Sequence, residues 1–257
     1  MTEENISTLE PKPKSTVEKF VPLLVLITIG LAFLVGILWQ KAKVLESGTV
    51  KNASTDANTA VNQQTPDPLG KLSSDQVKKI PPVTSTDHFK GSKESKVTLI
   101  EYFDLQCPYC KQFHPVVEQA LNEYKGQLAW VVRDYPLYSI HSKAEPAAEA
   151  AECVAAIGGA DSYWNFIDKV MAGQPESLDR LPAIVSQVGV SSTKVVSCAQ
   201  AKTYKGAIDS DYNGGVTAGV TGTPGNFIIN QKGEAWLIPG FVPYEQLKLV
   251  IDEALKG

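Results

Sequence analysis

The sequence predicts an α/β fold in which a helical block is inserted between the two halves of a small sheet. Two apolar segments mark the first half, Val97–Phe103 and Leu128–Val132; a helical pattern separates them, as in a β–α–β unit. The second half is marked by Asn226–Ile229 and Ala235–Ile238, which flank the hairpin turn Asn-Gln-Lys-Gly. Between the halves, over about residues 139–219, apolar residues recur with helical spacing.

The segment Val97–Phe103 (VTLIEYF) has the features of a central strand. Glu101 is its one charged residue, and an apolar run of this kind predicts burial on both faces of a sheet. An amphipathic pattern over Tyr244–Leu255 predicts a closing helix. The insertion contains four predicted helical stretches, at residues 142–157, 163–171, 178–188 and 193–212.

Three N-terminal segments are predicted to precede this fold. Phe20–Trp39 is an uncharged apolar run of about 20 residues, which as a helix spans a bilayer core. A cleaved signal peptide is the alternative, but the run is longer than a signal peptide needs and no small-residue cleavage site follows. We therefore expect a transmembrane anchor at 20–39, a short cytoplasmic tail at 1–19, and a flexible, polar linker at 40–82.

The charge and the cysteine content exclude several classes of protein. A net charge of −4 and a pI near 5.5 give no basic surface for nucleic acid. Four cysteines in 257 residues are too few for a scaffold built from disulfides. The lysines on the two sides of the apolar run are too evenly matched to choose its orientation.

The motif Cys107-Pro108-Tyr109-Cys110 lies between the predicted central strand and its helix. Unsatisfied N–H groups at a helix start stabilise the thiolate of the first cysteine, and the second lies within reach to form a disulfide. Pro108 fits the first helical turn, where no N–H is needed. A zinc site is the alternative, with His114 as a third ligand, but a structural site needs further cysteine or histidine partners. We expect redox chemistry and no metal.

Residues 83–257 resemble the DsbA-like branch of the thioredoxin superfamily, in which a helical domain is inserted into a thioredoxin-like fold. Cys107 and Cys110 match the redox pair, and Glu101 matches the buried acidic position six residues before it. Pro115 matches the proline of the active-site helix, and Thr223-Pro224, within GVTGTP, matches the cis-proline loop beside the disulfide.

The resemblance implies roles for these residues. Glu101 is expected to assist proton transfer at the second cysteine, although it has the alternative of pairing with a lysine. Thr223 and Pro224 are expected to bind an extended substrate beside an exposed first cysteine, together with Pro108 and Tyr109. An ordinary trans peptide bond before Pro224 is the alternative.

The remaining cysteines, Cys153 and Cys198, are expected to form a structural disulfide between two helices of the insertion; two buried thiols are the alternative. The histidines are expected to be surface or structural residues, with His141 having the alternative of approaching the active site; they are His88, His114 and His141. Three tryptophans, Trp130, Trp164 and Trp236, are expected to lie in the core.

The expected function is thiol–disulfide oxidation that introduces disulfides into exported proteins. The resemblance implies a membrane partner that passes electrons to quinone, with no organic cofactor. The catalytic domain is then extracytoplasmic and the N-terminus cytoplasmic, because dithiol oxidation belongs to oxidising compartments. The dipeptide Pro-Tyr and the threonine before Pro224 depart from the pattern of the periplasmic oxidases. A reductase or isomerase on the same fold, and a redox-inactive module that binds unfolded chains, are the alternatives.

Overall fold

The computed structural model describes residues 69–257. The predicted tail, the predicted anchor and most of the predicted linker lie outside this range. Among residues 69–257, no helix combines the length and the apolar character needed to cross a membrane. In chain order the elements are α1 (Ser74–Val77), β1 (His88–Gly91), β2 (Val97–Phe103), α2 (Pro108–Glu123), β3 (Leu128–Asp134), α3 (Ala144–Gly173), a 3₁₀ helix (Glu176–Asp179), α4 (Leu181–Gln187), α5 (Ser192–Gln200), α6 (Lys205–Ala218), β4 (Gly225–Asn230), β5 (Ala235–Pro239) and α7 (Tyr244–Lys256).

The five strands form one mixed sheet in the order β1-β3-β2-β4-β5. The central strand β2 pairs in parallel with β3 and antiparallel with β4, and β4 continues antiparallel into β5. This is the arrangement that a β–α–β unit and a later hairpin produce when they share one sheet. The predicted α/β fold, with its helical block between the two halves of the sheet, is confirmed.

The β2 strand is largely apolar because each of its faces covers a separate core. Leu99 and Phe103 belong to the larger core, together with side chains of α2, α7 and the insertion. Ile100 and Tyr102 belong to the smaller core on the opposite face. Helix α2 is therefore held firmly against one face of the sheet, with its first turn at the end of β2.

Residues 70–72 lie along the outer edge of the sheet. Leu72 N donates to Ala235 O at 2.8 Å, and Leu237 N donates to Gly70 O at 2.9 Å. The structure differs here from the expected linker at 40–82, because its last residues are paired with β5 or packed on the domain. Ile80, for example, is buried in the smaller core.

The insertion departs from the predicted helix boundaries at two places. The first two predicted helices form one element, α3, which bends at Gly159, where φ is 79°. The stretch predicted at 193–212 is two helices, because Lys202 takes a left-handed conformation with φ of 49° between α5 and α6. Helical spacing alone does not locate such a break, since both halves keep an apolar face.

A disulfide joins α3 to α5. Cys153 and Cys198 are bonded, with their Cα atoms 6.1 Å apart. Cys153 is fully buried, and Cys198 is partly buried against the same core. The bond therefore links two helices of the insertion to each other, as expected from the sequence, and does not involve the Cys-Pro-Tyr-Cys motif.

Candidate active site

The Cys-Pro-Tyr-Cys segment lies where β2 meets α2. Cys107 is the N-cap residue in extended conformation, and Pro108 follows in the first helical turn. Cys110 lies within the same turn, and both cysteines are free thiols. The motif thus has the strand-to-helix placement that the sequence predicts, with its first sulfur at the positive end of a 16-residue helix.

Cys107 is more enclosed than the sequence indicates. We expected an exposed sulfur, but the residue is only 3 % exposed. Its thiol donates a hydrogen bond to the backbone oxygen of Thr223 at 3.3 Å. Because Thr223 lies 116 residues further along the chain, the residues around the motif carried no sign of this cover. The expectation of an exposed Cys107 is therefore corrected.

The surroundings of Cys107 favour its thiolate. Its pKa is lowered to about 6, chiefly by a hydrogen bond from the Cys110 thiol, while burial acts in the opposite direction. The Thr223 side chain and the N–H groups of Tyr109 and Cys110 also lower this pKa. The Thr223 hydroxyl has no hydrogen-bond partner among the described residues while Cys107 is a thiol. It is therefore free to donate to the thiolate.

Cys110 has the opposite character. It is fully buried, and burial is the main cause that raises the pKa of its thiol well above the ordinary value. The nearby charges of Glu101 and Cys107 act in the same direction. The two sulfurs of one helical turn are therefore strongly unequal: Cys107 ionises near neutral pH, and Cys110 keeps its proton.

Glu101 is a buried carboxyl group on β2 behind the motif. Burial raises its pKa to about 8, although a hydrogen bond from Trp130 Nε1 to Glu101 Oε2 at 3.0 Å lowers it in part. The alternative that Glu101 pairs with a lysine is wrong, because its hydrogen-bond partner is Trp130. A group with this pKa exchanges a proton near neutral pH, which suits the role that the resemblance implies.

The four other predicted site residues differ in their exposure. The Thr223–Pro224 peptide bond is cis, and both residues are buried. Tyr109 is 57 % exposed, and Pro108 is also exposed, so the two present the start of α2 to solvent. The structure thus brings Thr223 to Cys107 and leaves Tyr109 accessible to a partner.

Asp104 and His141 form a pair that the sequence did not reveal. The Asp104 side chain is fully buried and accepts hydrogen bonds from Gln106 N at 2.7 Å and Leu137 N at 2.8 Å. His141 Nδ1 lies 2.7 Å from Asp104 Oδ2, and the Asp104 backbone oxygen accepts from Cys107 N at 3.0 Å. The pair fixes the turn that carries Cys107. Its one sequence signal was an aspartate directly after an apolar strand.

His114 does not join the cysteines as a metal ligand, which corrects the three-ligand alternative. Its Nε2 lies 2.8 Å from Asp168 Oδ1, and these two residues with Glu118 place possible ligand atoms within 4.8 Å of one another. Lys90 Nζ bonds to both Glu118 and Asp168. The lysine supplies the positive charge in this cluster, which is therefore a structural ion-pair network.

The fold and sequence are similar to those of several known proteins. A family model described as thioredoxin matches residues 83–253. Disulfide bond formation protein D of Bacillus subtilis is 23% identical over 174 residues, which are 65% of this chain and 76% of that protein. The crystal structure of oxidised BdbD from Bacillus subtilis superposes with a TM-score of 0.58 at 20% identity, covering 66% of this chain and 94% of that one.

Part of the chain is also similar to a larger protein. The sodium/proton antiporter NhaA 3 of Salinispora tropica is 39% identical over 97 residues, which are 38% of this chain. The chain spans about 14% of the length of that antiporter.

Proposed function

This chain belongs to the thioredoxin family, and from that premise we propose that it is a protein thiol:disulfide oxidoreductase that oxidises dithiols in exported proteins through Cys107 and Cys110. The observation that carries the proposal is the inequality of the two sulfurs. The pKa of Cys107 is lowered to about 6, while that of Cys110 is raised well above its usual range. A stable thiolate at the first cysteine favours the reduced enzyme and makes its disulfide a strong oxidant.

The proposed cycle begins with a Cys107–Cys110 disulfide. A substrate thiolate attacks Cys107 Sγ, a substrate–Cys107 disulfide forms, and Cys110 leaves as a thiolate. A second substrate thiolate then attacks the substrate sulfur of this mixed disulfide, and Cys107 leaves as its stabilised thiolate. Two substrate thiols are thereby oxidised to one disulfide, and the enzyme takes up the two electrons.

Glu101 handles the proton of Cys110 in this cycle. Cys110 leaves into a fully buried position, where a lasting negative charge is unfavourable. Glu101 interacts electrostatically with Cys110, and its pKa of about 8 lets it hold a proton at neutral pH. Glu101 therefore donates a proton as Cys110 leaves and takes one back when the enzyme is reoxidised.

Thr223 and Pro224 bind the substrate chain in this proposal. The Thr223 backbone lies beside Cys107, so an extended chain that pairs with it brings its thiol to the reacting sulfur. The exposed Tyr109 and Pro108 form the other wall. A peptide held on both sides needs little further ordering before the attack.

Location and electron partner complete the proposal. Disulfide formation requires an oxidising compartment, so residues 40–257 are extracytoplasmic and the segment at 20–39 anchors them to the cell membrane, with the N-terminus in the cytoplasm. Reoxidation of the dithiol requires an acceptor of two electrons, for which we propose a membrane protein linked to quinone. The Bacillus subtilis relative is itself named for disulfide bond formation, which supports dithiol oxidation as the proposed reaction.

The reduction potential of the Cys107–Cys110 pair tests the direction of electron flow. The full chain in detergent is equilibrated in glutathione buffers, and the fraction of alkylated thiols is read by mass spectrometry. A value near −120 to −180 mV agrees with an oxidase or an isomerase-like poise, and a value near −270 mV identifies a reductase. Oxidation of a two-cysteine peptide by substoichiometric enzyme with a quinone-linked acceptor distinguishes an oxidase from an isomerase.

A further inference from the structure

A cavity of about 480 Å³ lies between the first turns of α3 and the end of α5. Tyr138 and His141 line it from the loop before α3, Glu145 and Glu149 line it from that helix, and Lys202 lines it from the loop after α5. This volume is within the range of cavities that bind small molecules or single side chains. The proposed reaction cycle uses none of these five residues.

Glu149, which lines the cavity, has a carboxylate oxygen without a hydrogen-bond donor in the described part of the chain. The residue is only 1 % exposed, and its Oε2 accepts a hydrogen bond from Tyr204 N at 3.1 Å. Its other oxygen, Oε1, is buried and has no hydrogen-bond partner among residues 69–257. A buried carboxylate oxygen without a donor is unfavourable, so this position is one that a donor from a bound partner stabilises.

The charges that line the cavity do not cancel. Glu145 is compensated, because Lys202 Nζ lies 2.7 Å from its Oε1. Among residues 69–257 Glu149 forms no ion pair and is influenced by Lys202 only at longer range, and His141 is already bonded through Nδ1 to Asp104. Burial raises the pKa of Glu149, so a donor that also carries positive charge both pairs with the free oxygen and stabilises the ionised carboxylate.

The cavity adjoins the turn that carries the reactive sulfur. His141, on its wall, is bonded to Asp104, whose backbone oxygen holds Cys107 N. Lys143 N, in the same loop, donates to Gln106 Oε1 at 2.7 Å, and Gln106 directly precedes Cys107. A polypeptide whose thiol lies at Cys107 is thus close to the loop that forms the cavity wall.

We propose that this cavity binds the ammonium or guanidinium group of a lysine or arginine side chain in the polypeptide whose thiol reacts at Cys107. The inference rests on the proposed function and deepens it: the enzyme selects thiols that lie a fixed few residues from a basic side chain. Glu149 is the specificity-determining residue, and Lys202 sets how much negative charge remains for the ligand.

The test uses oxidised full-length protein in detergent and peptides with a single cysteine. Arginine is placed at each position from five before to five after the cysteine, and each peptide has a partner with uncharged, nearly isosteric citrulline. The rate of mixed-disulfide formation is measured by acid quench and mass spectrometry. In one narrow register, arginine is expected to react at least about 10-fold faster than citrulline, as a charge-assisted hydrogen bond predicts.

Two variants and a control locate the effect. Glu149→Gln is expected to bring the arginine-to-citrulline ratio close to one. Lys202→Asn, chosen because asparagine tolerates a left-handed φ, frees Glu145 and is expected to raise the ratio. Glu94→Gln removes one exposed negative charge outside the cavity and is expected to leave the ratio unchanged. An increase in one variant and a decrease in the other are not produced by loss of folding.

The possible failures are distinct. If no peptide reacts with the Cys107–Cys110 disulfide, the proposed function itself is wrong. If arginine and citrulline peptides react equally in every register, the function stands and the basic-residue site is overturned. If free agmatine slows all peptides alike, the cavity binds free amines unrelated to the substrate, and the proposal is also overturned.

Discussion

The two cysteine pairs of this chain contain the same side chain in two different surroundings. Cys107 and Cys110 share one helical turn beneath the Thr223–Pro224 loop, and their thiols differ strongly in pKa. Cys153 and Cys198 lie 45 residues apart, on two helices, and are bonded to each other in the insertion. No helix start and no unpaired hydroxyl faces the second pair among the described contacts. The comparison shows that the reactivity of a cysteine follows from the groups around its sulfur.

The largest expected effect comes from changing the first pair. Cys107→Ser is expected to abolish dithiol oxidation, lowering the rate by at least about 10³-fold, because the Cys107–Cys110 disulfide that the substrate thiolate attacks can no longer form. In Cys110→Ala the Cys107 thiolate can still attack the disulfide of an oxidised substrate peptide, releasing one substrate thiolate, and the resulting mixed disulfide is expected to accumulate on non-reducing gels because no Cys110 thiol remains to break it. The double variant Cys153→Ala/Cys198→Ala is the matched control and should oxidise a peptide at a near wild-type rate. A comparable loss in this control would end the distinction between the two pairs.

The next effect is on stability and belongs to the second pair. Removing both Cys153 and Cys198 is expected to lower the free energy of unfolding by about 4 kcal/mol, since the bond closes a long loop of the unfolded chain. Urea unfolding followed by circular dichroism measures this. The reduction potential of the Cys107–Cys110 pair should stay within about 10 mV of wild type, which corresponds to about 0.5 kcal/mol. A larger shift in potential would show that the two pairs are coupled.

Glu101 makes the stability of the domain depend on pH. Its pKa is raised from 4.5 to about 8, so the folded state holds its proton across an interval where the unfolded state has lost it. This contribution is complete below pH 4.5 and is lost as the pH rises towards 8. Wild type is therefore expected to lose up to a few kcal/mol relative to Glu101→Gln over that interval, on the order of 1.4 kcal/mol per pH unit. Equal pH slopes in urea titrations of the two proteins would contradict a buried, protonated Glu101.

The smallest effect concerns the hydroxyl of Thr223. Thr223→Val removes one donor to the Cys107 thiolate, and the pKa of Cys107 is expected to rise by about one unit from its value near 6. The pH dependence of alkylation by iodoacetamide reports this pKa. Thr221→Val, at an exposed position of the same loop, is the control and should leave the titration midpoint unchanged. A Thr223 variant that titrates like wild type would assign the low pKa to Cys110 and the helix start alone.

Local sequence patterns, namely apolar runs and turn motifs, predicted much of the fold. The apolar run Val97–Phe103 predicted a central strand, and the Asn-Gln-Lys-Gly turn predicted the hairpin of β4 and β5. The break at Lys202 was not predicted, because left-handed lysines carry no sequence signal and the helices on both sides keep their apolar spacing.

The sequence predicted only part of the site, because some of its contacts join residues that are far apart along the chain. Cys107 and Cys110 have a local motif, so they were found directly. The family resemblance placed Thr223 and Pro224 beside Cys107, but the burial of the Cys107 sulfur and the bond between Asp104 and His141 depend on segments that meet only in three dimensions. Glu149 was indistinguishable from the other glutamates of an alanine-rich helix, because burial and an unpaired oxygen are properties of packing.

Residues 70–72 cover the outer edge of strand β5, and this bears on how the domain avoids pairing with unfolded chains. An open edge strand is a template on which another chain can add as a further strand, which is a route to aggregation. An enzyme with the proposed function meets exported polypeptides before they fold and is especially exposed to this hazard. Because Gly70 and Leu72 already form backbone hydrogen bonds with Leu237 and Ala235 of β5, a client chain cannot add to β5 at these positions. Strand β1 forms the opposite edge of the sheet, so the protection given by residues 70–72 applies to the β5 side.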